Sequence, residues 1–315
     1  MSQASTTEGS GLHHLPADWI AVDWGTSRLR AWAMRDGEPV AESASDAGMA
    51  SLEPRKFEPA LLALVEPWLG PTTPVLACGM VGSRQGWAEA PYATAPCRPL
   101  SPLVRAPAVD PRLQVHLVPG VKQPHPADVM RGEETQIAGF LALAPSFDGI
   151  ICLPGTHTKW VEVSAGEIVS FRTFMTGELF ALLARSSVLR HSVGDGWDEP
   201  AFLAAVSDTL SRPETLAARL FGVRAEGLLH GLAPASARAR LSGLLIGAEL
   251  AAARPYWLGR RIAIVGDPGL AAHYAGALTA EGAAPTVAPA DRMTLAGLAA
   301  ALASLTDVRA GMESP

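Results

Sequence analysis

Apolar residues fall in short runs broken by Gly, Pro and Asp, and two of these stretches share one layout. Trp19–Asp23 is an apolar run closed by an aspartate, followed by a tight Gly25-Thr26 turn and the alternating run Leu29–Met34. Asp36-Gly37 then leads into Glu38–Ser43. This pattern predicts three strands with an Asp-Gly hairpin between the last two. Downstream, Ile150–Leu153, Gly155-Thr156, a second apolar run and Gly166 repeat it. Two copies predict two similar lobes, each offering a Gly-Thr loop. Facing loops rich in backbone N–H donors suit a polyphosphate, so the repeat points to nucleotide chemistry.

Elsewhere the period lengthens. Pro54–Leu69 carries apolar residues at Phe57, Leu61, Leu64, Val65 and Leu69, which predicts a helix. Pro74–Cys78 reads as a strand running into the glycine-rich Gly79–Trp87, and the Pro-rich Ala88–Gln123 allows only short strands such as Leu113–Val118. Asp128–Leu143 predicts a helix with a carboxylate-rich first turn, Thr176–Arg190 another, and Pro200–Arg254 several, broken at Pro213 and Pro234. Arg261–Val265 returns to strand, a Gly266-Asp267-Pro268-Gly269 turn opens helix Leu270–Ala280, and Thr294–Leu305 closes as an apolar helix. Strand, hairpin, strand, helix, strand, given twice, predicts an α/β fold with mixed sheets. Residues 1–16 then form a loose tail, 17–145 an N-terminal lobe with an insertion at about 79–125, and 146–315 a C-terminal lobe with a helical insertion at about 176–254.

The bulk numbers narrow the class. The 315 residues fit two domains, and 48% hydrophobic with 18% charged residues is the balance of a folded, enzyme-like chain. A net charge of −6, with no Lys/Arg cluster, argues against a nucleic-acid binder. No apolar run reaches the ~20 residues that span a bilayer, and Met1–Pro16 lacks the charged start and apolar core of a secretory signal. Cys78, Cys97 and Cys152 show no C-x-x-C spacing; Cys78 and Cys152 read as buried thiols of a reducing cytoplasm.

The candidate chemistry gathers at the turns. Asp23, opening the first Gly-Thr turn, can hold Mg²⁺ through waters beside a nucleotide's phosphates, or simply cap the turn. The second loop, Gly155–Lys159, has Pro154 in place of the aspartate, so one lobe supplies the acidic group. Lys159 either contacts phosphate or is a solvated residue starting a strand. The turn at Gly266 can bring backbone N–H groups close to an anion or a nucleoside. Phosphoryl transfer also needs a base, for which Glu133, Glu134 and Asp128 are all placed. Ser83, Arg84, Gln85, Gly86 and Trp87 form a turn dense in hydrogen-bonding and stacking groups; Arg84 can grip a carboxylate and Trp87 can pack on a sugar ring. Thr176 and Glu178 are the polar positions of the aromatic-rich Phe171–Phe180. No histidine has partners at zinc-ligand spacing.

The order of these pieces resembles the sugar kinase, hexokinase and actin-like ATPase superfamily. The strings V-D-W-G-T-S-R-L-R-A-W, C-G-M-V-G-S-R-Q-G-W, D-V-M-R-G-E-E-T-Q-I-A-G, L-P-G-T-H-T-K-W-V and F-M-T-G-E-L-F-A-L-L are similar to a narrower family, the 2-dehydro-3-deoxygalactonokinases. The resemblance implies two ribonuclease-H-like lobes with mixed sheets flanking a nucleotide cleft, ATP and Mg²⁺ as cofactors, and transfer of the γ-phosphate to the 6-hydroxyl of a small sugar acid. It implies that Asp23 and Gly25, Thr26, Ser27 and Arg28 form the first phosphate motif. Gly155, Thr156, His157, Thr158 and Lys159 form the second, and Gly266 and Asp267 the nucleoside turn. It also implies that Glu133, just after Gly132, is the base, with Glu134 next. A Glu-Glu pair there is similar to the exopolyphosphatase branch too, which keeps a phosphohydrolase, or a kinase for another sugar acid, as alternatives. The expected partner is the small molecule alone, without nucleic acid or membrane, in the cytoplasm, with a homodimer one option for the assembly.

Overall fold

A computed structural model describes residues 16–312, so the expected tail, apart from Pro16, lies outside the described residues. The elements run β1 (Trp19–Trp24), β2 (Leu29–Arg35), β3 (Glu38–Ser45), α1 (Phe57–Val65), β4 (Thr73–Gly79), β5 (Ala93–Thr94), β6 (Val104–Arg105), β7 (Leu113–Leu117), β8 (Val121–Gln123), β9 (Asp128–Met130), α2 (Glu133–Leu143) and β10 (Gly149–Leu153). They continue with β11 (Thr158–Ser164), β12 (Glu167–Phe174), α3 (Thr176–Ser186), α4 (Glu199–Ser211), α5 (Leu216–Leu229), α6 (Pro234–Ala252), α7 (Arg254–Trp257), β13 (Ile262–Gly266), α8 (Pro268–Ala280), β14 (Thr286–Pro289) and α9 (Ala290–Met312).

The chain divides into two compact units: residues up to Pro91 with Ser101–Gly120 and the stretch from Ala301, and Tyr92–Leu100 with Val121–Ala300. The first holds a sheet ordered β3-β2-β1-β4-β7-β6 and the second a sheet ordered β12-β11-β10-β13-β14. In both, the leading three strands are antiparallel and the next joins in parallel, β1 to β4 and β10 to β13. The sequence repeat is thus a repeat of topology. Residues 121–145, expected in the first lobe, belong with the second unit. There α2 lies against α9 so closely that a Cβ on Gly139 would sit 1.9 Å from Met293 O, and one on Gly297 1.9 Å from Thr135 O.

The hairpins match in detail. Asp36 and Gly37 have φ of 51° and 82°, and Ala165 and Gly166 have 50° and 77°, the paired positive values of a two-residue hairpin turn. Each turn is held from the residue that precedes its sheet's central strand. Asp18 accepts the Asp36 N–H at 2.9 Å, and Asp148 accepts the Ser164 hydroxyl at 2.7 Å and the Ala165 N–H at 3.4 Å.

Phe57, Leu61 and Val65 recur at helical spacing, and this face of α1 packs on Ile20, Val22 and Trp24 of β1. Each large side chain so buried contributes roughly 1.5–3 kcal/mol. In the second unit β10 and β13 are buried throughout, sandwiched between helical layers.

One element differs from expectation. Asp128 does not open a helix: Asp128–Met130 pairs with β8, and Gly132, at φ 108°, separates that strand from the helix starting at Glu133. Among the described residues Cys78 and Cys152 are buried and Cys97 half-buried, and none forms a disulfide. No helix among the described residues is long and apolar enough to cross a membrane.

Candidate active site

In the first unit, Asp23 sits on β1 with its carboxylate bonded by Arg30 Nη2 at 2.8 Å, from the paired position on β2. Its other oxygen faces Cys78 Sγ at 4.0 Å. The exposed Thr26, Ser27 and Arg28 follow, and the turn is braced from behind. Gly25 N–H donates to Arg28 O, and Met49 and Ala50 N–H donate to Gly25 O and Thr26 O. A single carboxylate fits Mg²⁺, which keeps most of its waters and takes its remaining ligands from phosphate. Among the described residues there is no cluster of three or more acidic, His or Cys side chains to hold a metal by protein alone.

The Ser83–Trp87 turn also belongs to this unit. Gly86 N–H donates to Ser83 O and Trp87 N–H to Val81 O, which presents Arg84 and Gln85 to solvent. The Ser83 hydroxyl is buried with no hydrogen-bond partner among the described residues. The half-buried Trp87 ring packs against the core: it stacks on Phe57 at 6.5 Å, meets Trp24 edge-on at 6.2 Å and donates Nε1–H to Pro107 O at 3.1 Å. It anchors the turn that displays Arg84.

The second unit brings together residues far apart in sequence. Lys159, only 4% exposed, ends its side chain 2.9 Å from Glu133 Oε1. It is neither solvated nor free. Glu133 stands in the first turn of α2, where the helix dipole favours a carboxylate, and keeps about a quarter of its side chain in solvent. Its neighbour Glu134 is buried completely. Both its oxygens accept Gly132 N–H, Thr135 Oγ1 donates to it, and burial, reinforced by the charge of Glu133, pushes its pKa up to about 8. Asp128 is occupied on β12, accepting the Thr173 N–H and hydroxyl, each at 2.7 Å. Of the three carboxylates, Glu133 alone has both a cationic partner and a path to solvent.

The loop between β10 and β11 is shaped by the start of α3. Glu178 N–H donates to Thr156 O, and the Glu178 carboxylate meets His157 Nε2 at 2.6 Å. A Cβ on Gly177 would sit 2.2 Å from Gly155 O, so only glycine permits this approach. Thr158 points inward, its hydroxyl 2.9 Å from Tyr274 Oη.

Next to this loop lies a cavity of about 340 Å³. Gly155 and Thr156 line it with Thr176 and Gly177 of α3, Arg238 of α6, and His273 of α8. Trp197 also lines it, stacked on His273 at 3.8 Å. Arg238 lies over the Phe180 ring at 5.2 Å. Burial, opposed by the Glu199 charge and aided by that of Arg238, lowers the His273 pKa. Gly266 and Asp267 do not line the cavity. Asp267 instead caps α8, accepting Gly269 and Leu270 N–H, and so aims the helix that carries His273 and Tyr274. No local signal marks Trp197, Arg238 or His273: Arg238 and His273 sit in ordinary helical periodicity, and Trp197 lies in the loop before α4.

Two sheets of this shared topology, each opening a Gly-Thr loop, define the sugar kinase, hexokinase and actin-like ATPase class of α/β proteins. The activator of 2-hydroxyisocaproyl-CoA dehydratase from Clostridium difficile, solved with bound ADPNP, shares the fold at 11% identity, TM-score 0.53, over 94% of this chain and 98% of that one. Within the class the chain belongs to the 2-keto-3-deoxy-galactonokinase family, whose model matches residues 23–301. It is 40% identical over 294 residues to the probable 2-dehydro-3-deoxygalactonokinase of Rhizobium meliloti (strain 1021), covering 90% of this chain and 96% of that protein. It is 36% identical to the 2-dehydro-3-deoxygalactonokinase of Escherichia coli (strain K12), over 90% and 97% of the two chains. A crystal structure of a candidate 2-dehydro-3-deoxygalactonokinase from Sinorhizobium meliloti superposes with TM-score 0.84 at 39% identity, over 91% of this chain and 99% of that one.

Proposed function

We propose that this protein is an ATP-dependent 2-dehydro-3-deoxygalactonokinase, a phosphotransferase with an alcohol acceptor that converts the sugar acid to its 6-phosphate. The observation that carries the reading is the 36–40% identity to kinases of that name across nine-tenths of the chain. Glu133 takes the proton of the 6-hydroxyl as that oxygen attacks the γ-phosphorus, and ADP leaves. Its pairing with Lys159 supports this role, because the lysine fixes the carboxylate at the end of the Gly155–Lys159 loop. Glu134, fully buried, shapes the turn from within, and Asp128 serves to join β9 to β12.

The cavity beside Gly155 and Thr156 takes the nucleoside, and Gly25–Arg28 and Gly155–Thr158 are the phosphate-binding loops, each of its own unit. Asp23 holds Mg²⁺, which when bound offsets the phosphate charge. Arg84, with Ser83 and Gln85, grips the acid's carboxylate, and Trp87 steadies that turn. Of residues about 79–125, those that stay with the first unit form its sugar-side insertion, and residues about 176–254 form the helical insertion of the second. The enzyme works in the cytoplasm, in keeping with its free thiols.

A coupled ADP-release assay across 2-keto-3-deoxy sugar acids tests the reading. ADP release is expected to depend on the galacto acid. Equal ATP turnover without any acid would make the chain a phosphohydrolase instead.

A further inference from the structure

Glu249 is a buried carboxylate for which the transfer itself has no use. It stands on α6, 3% exposed, among apolar residues of the second unit's core. Trp160 Nε1 of β11 donates to one oxygen at 2.8 Å and Tyr274 Oη of α8 to the other at 2.8 Å. The Tyr274 hydroxyl also meets Thr158 Oγ1 at 2.9 Å. Hydrogen bonding from Thr176, at the start of α3, favours the charged form further, against the desolvation that pushes the group up to about 7. One side chain thus ties together β11, α3, α6 and α8.

Stability does not explain such a group. An unaccompanied apolar residue of similar volume packs at lower cost, since replacing buried ionic groups by well-packed apolar ones is often neutral or stabilising. The tied elements have another property in common. Thr176 and Tyr274 line the 340 Å³ cavity, α6 contributes Arg238 and Ser242 to its wall, and Thr158 closes the loop whose Gly155 and Thr156 form its rim. The carboxylate lies behind the cavity and the loop at once.

We propose that Glu249 is a positioning residue for the nucleotide: through Tyr274 and Thr158 it fixes the Gly155–Thr158 loop relative to the cavity wall, so that nucleoside and phosphates are held in register. This rests on reading the cavity and loop as the nucleotide side of a kinase. Tyr274 is the relay. Its hydroxyl donates to Glu249 and accepts from Thr158, so the loop's last residue is set by a group on another helix.

The test combines steady-state kinetics in both substrates with calorimetric ADP binding, on the full chain. Tyr274→Phe removes the relay hydroxyl and leaves the ring in the core. Glu249→Gln keeps one acceptor oxygen, and Glu249→Leu keeps neither. The KM for ATP and the Kd for ADP should rise by about tenfold in Tyr274→Phe and more in Glu249→Leu, with Glu249→Gln between wild type and Glu249→Leu; the sugar-acid KM should stay within about twofold. Tyr274→Phe and Glu249→Gln carry the decision should Glu249→Leu fail to fold. ADP affinity unchanged in both, or equal rises in both KM values, would overturn the proposal while leaving the kinase reading intact. A wild-type chain that binds no ADP would overturn the nucleotide reading and this proposal with it.

Discussion

Replacing Lys159 by Met separates what the Glu133–Lys159 pair does for the fold from what it does for turnover. The two charged atoms lie 2.9 Å apart, with the lysine side chain 5% and the glutamate side chain 26% exposed. At an effective dielectric near 20 their attraction is roughly 6 kcal/mol, and desolvating the ammonium offsets several kcal/mol of it. Methionine fills the lysine's channel but leaves Glu133 without its cation. Because the carboxylate can turn toward solvent, the stability loss should be about 1–3 kcal/mol rather than the larger cost of a fully buried orphan charge. Turnover should suffer more, since a base displaced by about 1 Å can cost on the order of a hundredfold in rate. Urea melts give the first quantity and saturating kcat the second. A double-mutant cycle with Glu133→Gln links them: once the base is gone, Lys159→Met should change kcat little further. A kcat within about twofold of wild type for Lys159→Met, or full additivity in the cycle, would refute the positioning argument.

Three further outcomes can be checked. In Gly297→Ala the new methyl, 1.9 Å from Thr135 O, must drive α9 and α2 apart by more than an ångström, at about 1–3 kcal/mol; because Thr135 adjoins Glu133 and Glu134, kcat should fall together with the urea midpoint, and a loss of stability at unchanged kcat would show that α9 does not set that turn. Arg84→Ala should raise the sugar-acid KM by about tenfold or more with little change in that for ATP; an unchanged sugar-acid KM removes Arg84 from the substrate site. The Glu134 carboxyl is held at about 8 against an ordinary 4.5, so the folded chain binds the extra proton: this contribution to stability is complete below about pH 4.5 and is lost as pH rises through about 8. Thermal melts should therefore show Glu134→Gln gaining on wild type between about pH 5 and pH 9, and a constant difference would contradict the burial argument.

The residues that carry local rules were legible in the sequence. Asp36-Gly37 announces its hairpin because few other pairs accept two positive φ values, and Gly25-Thr26 and Gly155-Thr156 follow buried strands as loops must. Asp128 reads as a helix start because acidic residues ahead of an apolar run imitate one, while its pairing with Thr173 depends on a strand beyond the reach of local pattern. Lys159 reads equally as a phosphate contact or a solvated strand start, and only the fold, by which α2 brings Glu133 to it, shows its partner. Trp87 looks like a ligand platform in a polar string, yet Phe57 and Trp24 claim its ring. The cavity wall of Trp197, Arg238 and His273 rests on how a loop and two separate helices pack, and single-helix periodicity records only that each helix has an inner face.

The twinned hairpins place two versions of one turn in a single polypeptide, each clamped by an aspartate one position ahead of its sheet's central strand. They differ at the first left-handed position, where Asp36 is a residue that tolerates that conformation and Ala165 is not. The chain is therefore its own host–guest series. The first turn adds its own preference to the Asp18 clamp, whereas the second relies on Asp148 and the strands around it to impose the conformation. The two lobes thus share a turn shape without sharing the local reasons for it.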